Sequence, residues 1–418
     1  MHCSTSLQAG RRSPKIAVLD TIHGASTIAR KMVEFGIEAE ALEVYHHTPS
    51  VATYDLVVAP VHLGPNNLVL AEARRLKKKI ITHHQAVGEL LVQHLNPELK
   101  VYEVTGTHSK TSTALLLARM LSQVKSVVSH TTRGMEIWCN GEASVLQKGL
   151  SITPANMIHA LAAAEAQGTA ALISEISLGG TGLADFGVLT SLSTDYRIAN
   201  ATRWASTAKL QMVSLAKKGT MLVANTDAKL SPDCSFGEGG QVLAKSDRMI
   251  FGKEMFPLML GGDLDFDGYQ TALAGAAAVA HASGMKKDEI TKALQDFDGF
   301  SGRMKVQQLD SLTIFDSSNS GLKVRDVERA LDRAKGNGLA VVVGEDAKTV
   351  CEGMNIQILA DLLRQRRAEM THLILVGERL EPLAKELRAD TAKNLAEGLE
   401  KAQASGSKRL LSCVKCFR

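Results

Sequence analysis

The chain reads as a multidomain α/β protein, with α/β domains in series and a phosphate-binding loop opening the middle one. Three observations carry this reading. The chain has 418 residues, too many for a single hydrophobic core. Short apolar runs alternate with stretches of helical period along its whole length. Residues 101–113, VYEVTGTHSKTST, form a hydrophobic strand that breaks at a glycine and opens a helix, the context a P-loop requires.

The first segment alternates KIAVLD (15–20), a helix from about 25 to 35, EAEALEV (38–44), DLVVAP (55–60), a helix near 66–77 and KIIT (79–82). This pattern predicts a small parallel α/β domain over 15–98, preceded by a disordered tail at 1–14. The turn after its first strand is Thr21-Ile22-His23-Gly24, which lacks the glycine spacing of a dinucleotide site and points to a domain for another ligand. Asn96-Pro97 marks the boundary. The second segment, 99–300, carries AALISEIS (170–177), FGVLTSL (186–192) and GTMLVAN (219–225), separated by helices. Gly299-Phe300-Ser301-Gly302 marks the next boundary. Residues 301–418 then alternate TIFDS (313–317), LAVVVG (339–344) and HLILVG (372–377) with helices at about 322–335, 355–369 and 380–387.

Composition narrows the function classes. Hydrophobic residues make up 45% and charged residues 22%, and no stretch approaches the roughly 18 uninterrupted apolar residues of a membrane span. The net charge is only +4, and the one basic run, Arg74-Arg75-Leu76-Lys77-Lys78-Lys79, closes a helical pattern. It reads as a solvated helix end, so neither nucleic acid nor membrane is expected as a partner. The six cysteines are scattered apart from Cys413 and Cys416, and no secretory leader is visible, which points to the cytoplasm. The Cys413-x-x-Cys416 pair lacks a second pair or nearby histidine, so metal or redox chemistry is not expected there.

In the P-loop, Gly106, Thr107, His108, Ser109, Lys110, Thr111 and Ser112 are expected to wrap the phosphates of ATP. Backbone N–H groups and the positive helix end face the anion, Lys110 reaches the β/γ-phosphates, and the Thr111 hydroxyl ligates Mg²⁺. Ser109 stands where the usual pattern has glycine. Glu175 and Asp195 follow strands whose C-terminal ends are where open α/β sheets bind ligands, and two such acids suit a metal-nucleotide site.

These elements, with the Thr153-Pro154 turn, Lys209 in STAKLQM, the triplet Asn225-Thr226-Asp227, Gly302-Arg303 and Asp316, resemble in order the signature of the Mur ligase family across roughly 101–320. The resemblance implies a central P-loop ATPase domain flanked by two Rossmann-like domains, and ligation through an acyl phosphate using ATP and two Mg²⁺ ions. It implies that Lys110, Glu175, Lys209, Arg303 and Asp316 are catalytic. Thr111, Glu175, Asp195 and a carbamylated Lys209 would serve the metals, Asn225 the adenine, and Arg303 and Asp316 would close over the nucleotide. The chain departs from the family where Ser191 and Tyr196 stand in place of an Asn and a His, and where Asp316-Ser317-Ser318-Asn319-Ser320 lacks the second Asp, the His and the Pro of the family's pattern. Its P-loop, its opening AVLDTIHG and this altered shell look most like the Mur-ligase-like branch of methanogens that completes the nickel tetrapyrrole coenzyme F-430. That implies a small-molecule substrate, a tetrapyrrole with a free carboxylate, and a monomeric or homodimeric enzyme.

Nine of the 13 histidines lie in the first 108 residues. Of these, His23, His62 and His84 are expected at loop ends as contacts for a large, anionic, metal-bearing ligand. The alternatives are an amide-forming ligase of the same fold, acting on a cell-wall (pseudomurein) precursor or a cofactor, and, from another class, a P-loop module that binds ATP only to switch shape.

Overall fold

The computed structural model describes residues 14–346 and 353–416, so the tail expected at 1–14 lies outside the described residues except for Pro14. The chain divides into two compact units, one formed by 1–258 with 269–293 and the other by 259–268 with 294–418.

The first unit begins with β1 (Ile16–Leu19), α1 (Ala25–Glu34), β2 (Ala39–Leu42), β3 (Leu56–Ala59), α2 (Leu68–Arg75), β4 (Lys79–Thr82) and α3 (His83–Leu91). The four strands form a parallel sheet in the order β2-β1-β3-β4. β1 and β3 are buried along their whole length, as strands covered on both faces must be. The basic run closes α2 at Arg74 and Arg75, where cations meet the negative end of the helix.

A second sheet of this unit is built on β5 (Lys100–Thr105), which leads through the glycine turn into α4 (Lys110–Leu121). Next come β6 (Val127–Thr131), β7 (Gly134–Cys139), β8 (Glu142–Gln147), α5 (Met157–Ala166), β9 (Ala171–Glu175) and β10 (Phe186–Leu189). A two-stranded ribbon, β11 (Arg197–Ile198) and β12 (Arg203–Trp204), precedes α6 (Ala205–Lys209), α7 (Gln211–Ser214) and β13 (Met221–Asn225). The unit continues through β14 (Cys234–Phe236), β15 (Val242–Ala244), β16 (Arg248–Phe251), β17 (Glu254–Pro257), α8 (Phe266–Ala282) and α9 (Lys287–Ala293); the first three residues of α8 belong to the other unit.

The sheet has eleven strands in the order β17-β16-β15-β14-β13-β10-β5-β9-β6-β7-β8. The expected parallel centre is there, with β5 between β9 and β10. The antiparallel strands at both edges depart from a pattern of strands separated only by helices. Most of those strands are short, β8 is exposed at every position, and a glutamate interrupts the apolar residues of β7, so no continuous apolar run announces them. One apolar core, including Ile16, Val18, Ala86, Val101, Ala160 and Leu172, joins the four-stranded sheet to the eleven-stranded one.

The second unit holds β18 (Lys305–Leu309), β19 (Leu312–Asp316), α10 (Val324–Ala334), β20 (Leu339–Glu345), α11 (Ile356–Arg366), β21 (His372–Val376), α12 (Ala384–Leu387), β22 (Asp390–Ala392), α13 (Leu395–Ala404) and β23 (Arg409–Lys415). Its six strands run in the order β18-β19-β23-β20-β21-β22, parallel except for β18. Cys413 and Cys416 sit three residues apart on an extended segment and enter the separate cores on the two faces of this sheet. That geometry keeps the two thiols from sharing a metal or a disulfide.

Candidate active site

β5 delivers the P-loop to the C-terminal edge of its sheet, and the adjacent strand ends hold it there. Gly106 has φ +152°, and a Cβ at that position would collide with the Thr190 hydroxyl. The turn can therefore pass only as glycine. Thr107 N–H donates to Ser191 O at 2.9 Å, and the Thr107 hydroxyl donates to Ser193 O at 2.5 Å. The Thr190 hydroxyl donates to His108 O at 2.6 Å, and the His108 ring faces the hydroxyls of Ser109 at 3.0 Å and Ser193 at 3.2 Å. Asp227 fixes the supporting loop by accepting from Leu192 N–H at 3.0 Å and from the Ser191 hydroxyl.

Ser109 adopts φ 61°, in the left-handed region, immediately before α4. The serine accepts the conformation glycine would supply, and its carbonyl accepts from Thr113 N–H at 2.9 Å in the first turn of the helix. Lys110 and Thr111 follow, with Ser112 in the same turn. The Thr111 hydroxyl donates to Glu175 Oε2 at 2.8 Å, and Lys110 Nζ lies 4.0 Å from Glu175 Oε1. Thr132 joins them, its N–H 3.3 Å from Glu175 Oε2 and its hydroxyl 3.2 Å from that of Thr111. Glu175 is 1% exposed, so its charge acts with little solvent screening.

Asp195 and Lys209 mark the two ends of α6. Asp195 Oδ1 accepts from the N–H groups of Tyr196 and Ser206, both at 2.9 Å, and Oδ2 accepts from the Ser206 hydroxyl. Burial pushes this carboxyl up, but the bonds from Ser206 and Tyr196 and the charge of Lys209 outweigh it and hold it below the usual range. Lys209 is 1% exposed, with its Nζ 5.8 Å from the centre of the Tyr196 ring. Asn225 ends β13 and accepts from Asp227 N–H at 3.1 Å, shaping the turn that places Asp227.

In the second unit, Asp316 ends β19. Its Oδ2 accepts from Gly302 N–H at 2.8 Å and the Ser301 hydroxyl at 3.1 Å, while Arg303 donates to Asn319 Oδ1 at 2.9 Å. The glycine-arginine pair and the strand-end acid thus form one local constellation.

The three histidines separate. His23 and His62 meet at Asp20, whereas His84 lies in the first turn of α3, is buried, and bonds Ser177 O through Nε2 at 2.7 Å. Burial lowers its pKa to about 4. Sequence reading missed three residues that organise these sites, Asp20, Glu103 and Thr132, and named Asp227 only as part of its triplet. Glu103 left a signal, a carboxylate inside the apolar strand VYEVT. It is fully buried and accepts from Thr181 N–H at 2.9 Å, anchoring the loop after β9. Thr132 gave none.

Comparison with known proteins now bears on this arrangement. Residues 306–416 match the family profile described as "Coenzyme F430 synthetase CfbE, C-terminal domain". Coenzyme F(430) synthetase of Methanosarcina acetivorans is 36% identical, with 97% of this chain and 99% of that protein covered. The chain belongs to the coenzyme F430 synthetase family. Membership makes it an ATP-dependent ligase. In fold it resembles MurF from Acinetobacter baumannii, with a TM-score of 0.57 at 16% identity over 94% of this chain and 96% of that one. It also resembles the bifunctional folylpolyglutamate synthase/dihydrofolate synthase of Yersinia pestis, solved with AMPPNP and a Mn ion, with a TM-score of 0.54 at 16% identity over 80% and 90%. The Mur-ligase-like multidomain α/β architecture of this family is therefore the architecture of this chain.

Proposed function

We propose that the chain uses ATP to phosphorylate a carboxylate side chain of a nickel seco-tetrapyrrole and then closes a carbocycle on it, giving coenzyme F-430, ADP and phosphate. The observation that carries the reading is the P-loop joined to Glu175 in a chain that is 36% identical to a coenzyme F(430) synthetase across nearly its whole length. The relative's name supplies the product. The geometry supports the ATP half of the reaction.

The attacking carboxylate and the γ-phosphate are both anionic, so bringing them together is the first electrostatic problem. Lys110 and the N–H groups opening α4 present positive charge to the phosphates. The Thr111 hydroxyl and the Glu175 carboxylate are hard oxygen donors 2.8 Å apart, a set that fits Mg²⁺. Mg²⁺ there would neutralise charge on the phosphates. Carbamylation of the buried Lys209 would replace a cation with an anionic oxygen ligand beside Asp195, supporting a second ion. Asn225 is proposed for adenine, and Arg303 and Asp316 for the nucleotide. A ring carbon then attacks the acyl carbon, forming the C–C bond as the bond to phosphate breaks and that carbon gives up a proton, so inorganic phosphate leaves and no amine is consumed. His23 and His62 are proposed to meet the tetrapyrrole, and His84 to support the fold behind it.

The test is to incubate the full chain anaerobically with ATP, Mg²⁺ and the nickel seco-tetrapyrrole acid, and measure ADP. Release that depends on the tetrapyrrole and on no amino acid is the expected result. Strict dependence on an amino acid would return the chain to amide-forming ligation, and release indifferent to both would mark a nucleotide switch.

A further inference from the structure

Asp20, His23 and His62 converge at the C-terminal edge of the four-stranded sheet. Strand order β2-β1-β3-β4 reverses direction between β1 and β3, and open α/β sheets bind ligands in the crevice at such a reversal. Asp20 and His23 follow β1, and His62 follows β3. The topology alone thus brings all three side chains to the crevice.

The carboxylate is held by its surroundings. Asp20 is fully buried and adopts φ 81°, a left-handed conformation that a non-glycine residue keeps only when neighbours enforce it. Its Oδ1 accepts from the N–H groups of Ile22 and His23, both at 3.1 Å. Its Oδ2 faces three groups at once: His23 Nδ1 at 2.7 Å, His62 Nε2 at 3.2 Å and the Tyr45 hydroxyl at 2.8 Å. One carboxylate oxygen has two lone pairs, so at most two of these three groups can donate to it. His23 Nδ1 and His62 Nε2 also lie 3.3 Å apart, two nitrogens that can share only one proton between them.

A cation resolves this crowding. First-row divalent ions bind imidazole nitrogen and carboxylate oxygen at about 2.1 Å, so ligands on one face of such an ion stand roughly 3.0–3.4 Å apart. The three separations here are 2.7, 3.2 and 3.3 Å. With an ion bound to Oδ2, Nδ1 and Nε2, the Tyr45 hydroxyl takes the second lone pair of Oδ2, and every acceptor direction of Asp20 is used. Both histidines keep partial exposure, which leaves the far side of the ion open.

We propose that Asp20, His23 and His62 form a facial two-histidine, one-carboxylate site for a first-row divalent transition-metal ion taken from solution, with its remaining positions open to the crevice. Imidazole ligands select Ni²⁺, Co²⁺ or Zn²⁺ over Mg²⁺. The inference does not rest on the tetrapyrrole reading, because the ion alone is the probe.

Chelator-treated full-length chain is titrated with Co²⁺, following visible d–d absorption and calorimetric heat in the presence of excess Mg²⁺. The wild type should take up an equivalent of Co²⁺ that Zn²⁺ displaces and Mg²⁺ does not. His23→Ala and His62→Ala should each weaken that equivalent at least about tenfold. The His46→Ala, His47→Ala double variant should retain it. Melting temperatures in chelator, unchanged from wild type for the two single variants, establish that they fold. Uptake of Co²⁺ indifferent to both substitutions overturns the proposal, as does no uptake at all. Capture only of nickel already held in a tetrapyrrole also overturns it, since a macrocyclic metal offers axial positions and cannot accept three facial ligands.

Discussion

Ser109 holds a left-handed backbone at φ 61° directly ahead of Lys110. An L-residue there costs about 1 kcal/mol relative to glycine, so Ser109→Gly should raise stability by about that amount in urea unfolding. Lys209 offers a sharper test of chemistry. It is buried at the end of α6, near the Asp195 carboxylate. Lys209→Ala should leave binding of a non-hydrolysable ATP analogue nearly unchanged while ADP release falls at least about a hundredfold, the scale of losing one charge-stabilising group. Unaltered ADP release would remove the carbamate from the mechanism. At this scale the sequence was informative wherever a residue acts through its own chemistry. Lys110, Thr111 and Glu175 are legible as candidate phosphate and metal groups, and the fold brings the three side chains together. Thr132 acts by holding others from an element distant in the chain, so nothing adjacent to it discloses the role; Asp227 was marked only by its triplet, and its hold on Ser191 and Leu192 comes from the tertiary structure.

Among the elements, α3 shows how context reverses a propensity. Gly88 lies inside this helix, where alanine would ordinarily add about 1 kcal/mol. Here a Cβ would strike the Thr181 carbonyl in the loop anchored by Glu103. Gly88→Ala should therefore destabilise the first unit by about 1–3 kcal/mol, the usual cost of overpacking, read as a lower urea midpoint. The β7–β8 hairpin makes the complementary point. Asn140 at φ 51° and Gly141 at φ 84° form the turn, the pair that a two-residue hairpin with both central residues left-handed favours. That dipeptide was a readable signal for two strands the apolar pattern did not announce.

For the molecule as a whole, the histidines link stability to pH. Burial holds His83 down at about 3 and His84 and His130 at about 4, each neutral inside the fold. Unfolding frees them to protonate near 6.5, so between that pH and their folded values the unfolded chain binds more protons. Their contribution is complete above pH 6.5 and is lost as pH falls toward 4. Urea unfolding should lose roughly 1 kcal/mol per pH unit for each histidine across this window. Replacing His130 with a neutral residue of similar size should flatten the slope.

The sequence by itself determined the alternation of strand and helix, the P-loop and the order of the acids that follow the strands. Each of these is written in consecutive residues, as periodicity or as a motif whose chemistry is local. Only the tertiary structure decided which distant groups share a site. It separated His84 from the Asp20 cluster, set Cys413 and Cys416 on opposite faces of a sheet, and brought His62 across 42 positions to Asp20. The physical reason is that strand order, not sequence distance, sets which loop ends face one crevice. In the four-stranded sheet that order places the ends of β1 and β3 side by side.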